Sequence, residues 1–206
     1  MRMIDTVISP EAARELAEIG RFAADRGWVP ATSGNFSRRL DAQTIAITRS
    51  GADKGALTPA DFIAVALDEP LPAGVSAETP LHVARYRADA RIGAVLHIHS
   101  VAATVLSRAD ESAGDVALEG FEMHKALEGV TTHEGTLRIP IFANAQDTHA
   151  LAKVVEARLG ANCTVPAYLL AGHGLYVWGA TMADARRHVE GIEFLLRCAL
   201  EERRIR

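Results

Sequence analysis

The sequence predicts a mixed α/β fold in which one sheet is covered by helices. Three observations lead there. Strand-like and helix-like patterns intermingle along the whole chain, without the regular strand–helix–strand units of a parallel sheet. No internal repeat, low-complexity run or linker interrupts the 206 residues, so one domain over residues 1–206 is expected. Hydrophobic residues supply 49% and charged residues 23%, the balance of a globular chain able to fill a core without staples.

The first element is a helix. Ser9 offers a cap and Pro10 suits the first helical position, Ala12, Leu16, Ile19 and Ala23 follow at helical spacing, and Gly27 stops the run. Trp28 to Ser37, with Pro30, Ser33, Gly34 and Asn35, reads as a loop. Thr44 to Thr48 alternates like a half-buried strand and runs into the turn Arg49-Ser50-Gly51. Thr58 to Asp61 reads as a cap and one helical turn, Phe62 to Leu67 as a strand, and Glu69 to Val75 as a loop. A helix capped by Ser76 is expected to reach Ala88, and Ile92 to His99 forms a compact β-rich run. Val101 to Leu106 starts the next helix, and Glu122 to Leu127 fits a short one. Thr136 to Phe142 reads as a strand interrupted by Pro140, and Gln146 to Leu159 as a helix. Tyr168 to Ala171 and Leu175 to Trp178 are strand-like runs that meet at Gly172-His173-Gly174. Thr181 caps a long final helix ending near Arg204.

The charge balance excludes several classes. A formal net charge of -4 argues against a general nucleic-acid or anionic-membrane binder. The segment MRMIDTVISPEAARELAEIG has early acids and no apolar core of a signal peptide, and no apolar run is long enough to span a bilayer. Cys163 and Cys198 form no CxxC pair and read as reduced packing residues. A cytoplasmic protein is expected.

Chemistry concentrates in Leu96-His97-Ile98-His99-Ser100. Residues two apart on a strand share a face, so two imidazoles can grip one divalent ion from a rigid base. Two surface histidines at a strand end would look the same, and spacing leaves both readings open. A catalytic zinc site needs three protein ligands and an open position. His173, between two glycines and after an apolar run, is the best third ligand; the alternative is a histidine in a turn. His82, His124, His133, His149 and His188 read as structural or solvated, the last two on highly charged helices.

Three small-residue turns, Ser33-Gly34-Asn35, Thr48-Arg49-Ser50-Gly51 and Ser76-Ala77-Glu78, place hydroxyls and backbone N–H groups where a phosphate can be cradled. Serine and glycine also build turns for structural reasons alone. Arg49 and Lys54 add charge nearby or are simply solvated. Glu78 and Glu122, near element starts with small or apolar neighbours, are candidates for proton transfer among 26 acids.

Together SGN (33–35), ITRSG (47–51), SAETPLH (76–82), VLHIHS (95–100) and GHGLYVWG (172–179) resemble, in order, the class II aldolase/adducin-head superfamily. The resemblance implies a three-layer α/β/α domain with a largely antiparallel sheet, assembled as a tetramer. It implies one zinc ion per subunit on His97, His99 and His173, and a sugar phosphate held by Ser33, Gly34, Asn35, Ser50, Gly51 and Ser76. TRSGADKG (48–55), FEMHKAL (121–127) and HGLYVWG (173–179) look most like a branch that removes water from a methylthio-substituted pentulose phosphate. In that branch the Glu-Met/Ile-x-Lys pattern carries the acid/base residue, here Glu122. His124 departs from the aliphatic residue the pattern implies. Glu78 stands where aldolases of the superfamily have their catalytic glutamate, so an aldolase or a 4-epimerase is the rival enzyme. A non-catalytic adducin-head-like domain would be expected to lose zinc ligands, and all three histidines are present.

Overall fold

In the computed structural model, residues 7–160 and 163–205 are described; residues 1–6 of the segment read for a leader lie outside them. Eight strands form one sheet in the order β3-β2-β1-β4-β8-β7-β6-β5. They are β1 (Asn35–Arg39), β2 (Thr44–Thr48), β3 (Phe62–Ala66), β4 (Ala94–Ile98), β5 (Asp115–Glu119), β6 (Thr136–Phe142), β7 (Ala167–Leu170) and β8 (Gly174–Gly179). Every neighbouring pair is antiparallel except β6 with β7.

Among the described residues, five α-helices cover the sheet: α1 (Pro10–Asp25), α2 (Thr79–Ala88), α3 (Val101–Ala109), α4 (Thr148–Leu159) and α5 (Met182–Ile205). Strand alternation sorts the core into two layers. Leu96, Ile98, Leu169 and Val177 pack with Leu16, Leu106 and Ile192 of α1, α3 and α5. Ile45, Val95, Tyr168 and Tyr176 pack with Leu81 and Val155 of α2 and α4. The result is the three-layer α/β/α arrangement.

Helix starts follow the expected chemistry. The Ser9 hydroxyl accepts the Ala12 N–H at 3.1 Å and the Thr181 hydroxyl accepts that of Asp184 at 3.1 Å, caps that contribute about 1 kcal/mol each. Pro140 does not interrupt β6. It sits where the strand passes from β5, paired through Asp115, to β7, paired from Ile141.

Three more expectations need correcting, and one strand was not expected at all. The segment read as a loop from Trp28 to Ser37 ends inside a strand: β1 begins at Asn35 and lies between β2 and β4. The Asp115–Glu119 strand was not among the expected elements, although Val116 and Leu118 alternate as on a half-buried strand. The helix expected from Ser76 starts at Thr79, with Glu78 at the cap position. The Ser76 hydroxyl instead accepts the Glu78 N–H two residues on, at 3.2 Å, closing a turn before the helix. His188, expected on a solvated helix face, is 1% exposed. It takes the Glu128 N–H on Nε2 and faces the Trp178 carbonyl through Nδ1.

Candidate metal centre

Four side chains from separate parts of the chain converge at one end of the sheet. Glu78, His97, His99 and His173 each present a ligand atom, and these atoms all lie within 4.8 Å of one another. His97 comes from β4 and points to the α2/α4 face, stacked on Tyr176 with ring centroids 4.0 Å apart. His99 follows the strand end, where its backbone N–H is tied to Trp28 O at 2.8 Å. His173 sits in the turn between β7 and β8. A side chain at Gly174 would meet the Ile98 carbonyl at 2.2 Å, so only glycine lets this turn close on β4. Glu78 reaches in from the start of α2.

The donor chemistry fits a cation. His97 Nδ1 lies 3.1 Å from the Leu175 carbonyl and His173 Nδ1 lies 3.2 Å from Asn144 Oδ1. Both partners are acceptors, so each ring spends its N–H there and leaves Nε2 bare. Those bare nitrogens face Glu78, His97 Nε2 at 3.5 Å from Oε2 and His173 Nε2 at 3.0 Å from Oε1. His99 Nε2 is 2.8 Å from His97 Nε2. Acceptors turned on acceptors repel unless a proton or a metal lies between them.

Burial favours neutral rings: it lowers the His97 pKa well below the ordinary value, and that of His99 to about 4. Burial pulls the Glu78 carboxyl upward, but a proton held between it and the His97 and His173 nitrogens, together with the Asn35 amide, outweighs it. The carboxyl is held below its usual range, so Glu78 is ionised. Three imidazoles and one carboxylate suit zinc and other borderline transition ions.

Beside the cluster lies a cavity of about 140 Å³ lined by Ser33, Gly34, Asn35, Ser50, Gly51 and Ser76, with Glu78 and His99 at the metal side. All six residues expected to hold a phosphate are therefore brought together. A side chain at Gly34, where φ is +74°, would strike the His97 carbonyl at 2.7 Å, so glycine lets the turn lie against β4. Ala31 and Thr32 on the cavity lip also have positive φ, a strained backbone typical of sites. The Ser33 hydroxyl is buried and has no hydrogen-bond partner. The side chain of Asn35, by contrast, is committed to Glu78, donating to Oε2 at 2.6 Å.

Lys54, which sequence left between a charged and a solvated role, is 1% exposed and lines this cavity. Its ammonium donates to the carbonyls of Thr32 and Ala52, both at 2.7 Å. Burial lowers its pKa, with Asp53 and Glu78 opposing. Its hidden signal was position: three residues after the Ser50-Gly51 turn, where a folded-back chain brings it to the same cavity.

Glu122 is not part of the cluster. It lies on a 3-10 turn (Glu122–Ala126) after β5, with its side chain 69% exposed and paired with Lys125 and with His133 at 3.1 Å. The Lys125 hydrogen bond lowers its pKa, so it is ionised. His124 is buried on the same turn, 2% exposed.

Known proteins are similar to this chain in sequence and in fold. Residues 14–200 match the family described as Class II Aldolase and Adducin N-terminal domain. The chain is 53% identical over 194 residues to the methylthioribulose-1-phosphate dehydratase of Sorangium cellulosum strain So ce56, covering 92% of each. It is 50% identical over 200 residues to that of Parvibaculum lavamentivorans, covering 97% of this chain and 98% of the relative. Among solved structures, the L-fuculose-1-phosphate aldolase of Thermus thermophilus matches with a TM-score of 0.76 at 26% identity, covering 94% of this chain and 95% of that one.

Proposed function

The chain belongs to the class II aldolase and adducin N-terminal domain family, and from that premise we propose that it removes water from 5-methylthio-D-ribulose 1-phosphate. The product is 5-methylthio-2,3-dioxopentyl phosphate, and the chain is a carbon–oxygen lyase of methionine salvage. The observation that carries this reading is near-end-to-end identity to dehydratases, 53% against 26% for an aldolase of the same fold.

His97, His99 and His173 would hold one zinc ion per subunit, with Glu78 as the adjoining carboxylate. When bound, the metal polarises the C2 carbonyl and C3 hydroxyl and makes the C3 proton acidic. The chain does the rest. Ser33, Gly34, Asn35, Ser50, Gly51 and Ser76 surround the phosphate, through side chains or backbone, and fix the carbon chain in register. Lys54 balances its charge from below. Glu122, ionised and exposed outside the metal cluster, is the proton carrier that the family resemblance implies: it would take the C3 proton and pass it to the C4 hydroxyl, which leaves as water. The resulting enol accepts a proton at C4 and becomes the diketone.

Val101, Val105 and Phe194 remain exposed on α3 and α5, which supports a homo-oligomer; a tetramer is what the family resemblance implies. The free thiols Cys163 and Cys198 support a cytoplasmic setting. Among the described residues no helix is long and apolar enough to cross a membrane.

The test is an assay of purified protein, of measured zinc content, with the methylthio substrate. Diketone formation dependent on the metal is the expected result. Dihydroxyacetone phosphate from fuculose 1-phosphate, with no dehydration, would overturn the reading in favour of an aldolase.

A further inference from the structure

A ladder of buried polar groups runs from the interior to Glu78. On β1, Asn35 and Ser37 lie two residues apart on one face; on α2, Glu78, His82 and Tyr86 lie four apart on one face. The two faces interlock. Tyr86 OH is 3.0 Å from Ser37 Oγ, which is 2.7 Å from His82 Nδ1. His82 Nε2 meets Asn35 Oδ1, and Asn35 Nδ2 is 2.6 Å from Glu78 Oε2. Ser37, His82, Tyr86 and Asn35 are each 2% exposed or less.

The end of the ladder fixes the direction of every bond in it. Asn35 turns its NH2 to Glu78, donating from Nδ2 to Oε2, and its carbonyl oxygen to His82 Nε2. His82 must then donate from Nε2 and accept at Nδ1. Ser37 donates to Nδ1, and the Tyr86 hydroxyl donates to Ser37. With its hydrogen on Nδ1, His82 would draw the Asn35 NH2 towards itself and leave two acceptors facing each other at Glu78. His82 is held in plane by the edge of its ring on Tyr176, at a centroid distance of 5.8 Å. Burial lowers its pKa to about 4, against Glu78, which keeps it neutral as the ladder requires.

We infer that His82 is a positioning residue: as the neutral Nε2–H tautomer it locks the Asn35 amide, and through it the orientation of the Glu78 carboxylate beside His97 and His173. It supplies no atom to the ligand group and does not line the cavity beside it. Losing the lock frees Asn35 to flip, and Glu78 to rotate out of the ligand group. The inference deepens the proposed metal centre and rests on it for its effect on turnover.

Nitrogen-15 NMR of histidine-labelled protein reads the tautomer directly, needing neither metal nor substrate. An Nε2–H, Nδ1-bare His82 is expected at neutral pH, and an Nδ1–H tautomer would overturn the proposal whatever the enzyme's substrate. Kinetics then read the consequence. His82→Phe keeps the ring edge but removes the donor, and should lower kcat about 10- to 100-fold with KM within about threefold. His82→Gln restores a donor to Asn35 and should recover kcat to within roughly threefold of the parent. A His82→Gln variant as impaired as His82→Phe, or a folded His82→Phe with parental kcat, counts against the lock. Absence of dehydration in the parent, with the tautomer as expected, would instead fail only the function proposed above.

Discussion

Glu78 stands at the head of α2 with Oε2 held by Asn35 and Oε1 against His173. Glu122 stands on a surface turn, its oxygens shared between Lys125 and His133. Both are ionised and both belong to segments that carried the family resemblance, yet their surroundings are opposite. Moving Glu78 strands a buried amide and exposes bare imidazole nitrogens to one another, and a stranded buried polar group costs roughly 1–3 kcal/mol. Moving Glu122 exchanges screened surface partners for water. On the function proposed above, the pinned carboxylate holds geometry, whereas the one free to change partners takes a proton and gives it up.

The largest test of that division is Glu122→Gln. It should keep metal content and lower kcat by about 10²- to 10⁴-fold. Near-normal dehydration would remove Glu122 from the chemistry and hand proton transfer to Glu78. The companion change, Glu78→Gln, should instead weaken metal binding by about 10- to 100-fold. Added zinc should restore much of its turnover and none of that of Glu122→Gln. If zinc rescued both variants, or neither, the contrast between the two carboxylates would collapse.

The next test moves to the phosphate side. Lys54 is buried beneath the cavity, and a hydrogen bond to a charged group contributes about 1.5–3 kcal/mol. Lys54→Met should therefore raise KM roughly 10-fold or more while kcat changes little. Steady-state kinetics separate the two, and a loss confined to kcat would place Lys54 with the metal centre rather than the phosphate.

The same contrast explains what was legible. His97, His99 and His173 announce themselves because a strand end and a glycine-flanked turn are local patterns. The mixed α/β class followed from intermingled strand and helix patterns, whereas the three-layer arrangement with a largely antiparallel sheet came from the family resemblance. β1 was missed because NFSRR carries no alternation to read. Phe36 enters one core layer, while Ser37 enters the other and is fully buried only because His82 and Tyr86 meet its hydroxyl. A polar residue satisfied by partners 45 and 49 positions away looks like loop in one dimension. Glu78 and Lys54 were visible as residue types, but their burial comes from a helix start and a folded-back turn that no local pattern reveals. His82, read as structural, is structural in a way that ends at the Glu78–histidine cluster.

The last test changes stability rather than turnover, and it reaches only the pinned end. The folded pKa of His82 is about 4, and an unfolded histidine titrates near pH 6.5. Between those values the unfolded chain binds the proton that the folded chain refuses. The stability contribution is therefore fully present above about pH 6.5 and is lost as pH falls towards 4, about 2 kcal/mol of it between pH 7 and pH 5. Glu193 works in the opposite sense. Burial pushes its carboxyl up to about 7 despite the Ser100 hydrogen bond, so it gains stability as pH falls from 7 towards its unfolded value. Urea unfolding of metal-free parent and His82→Gln at the two pH values cancels Glu193 and every other shared group. The parent should lose about 2 kcal/mol more than the variant. Equal losses would mean that His82 takes up its proton in the fold, which the donor-to-acceptor order ending at Glu78 forbids.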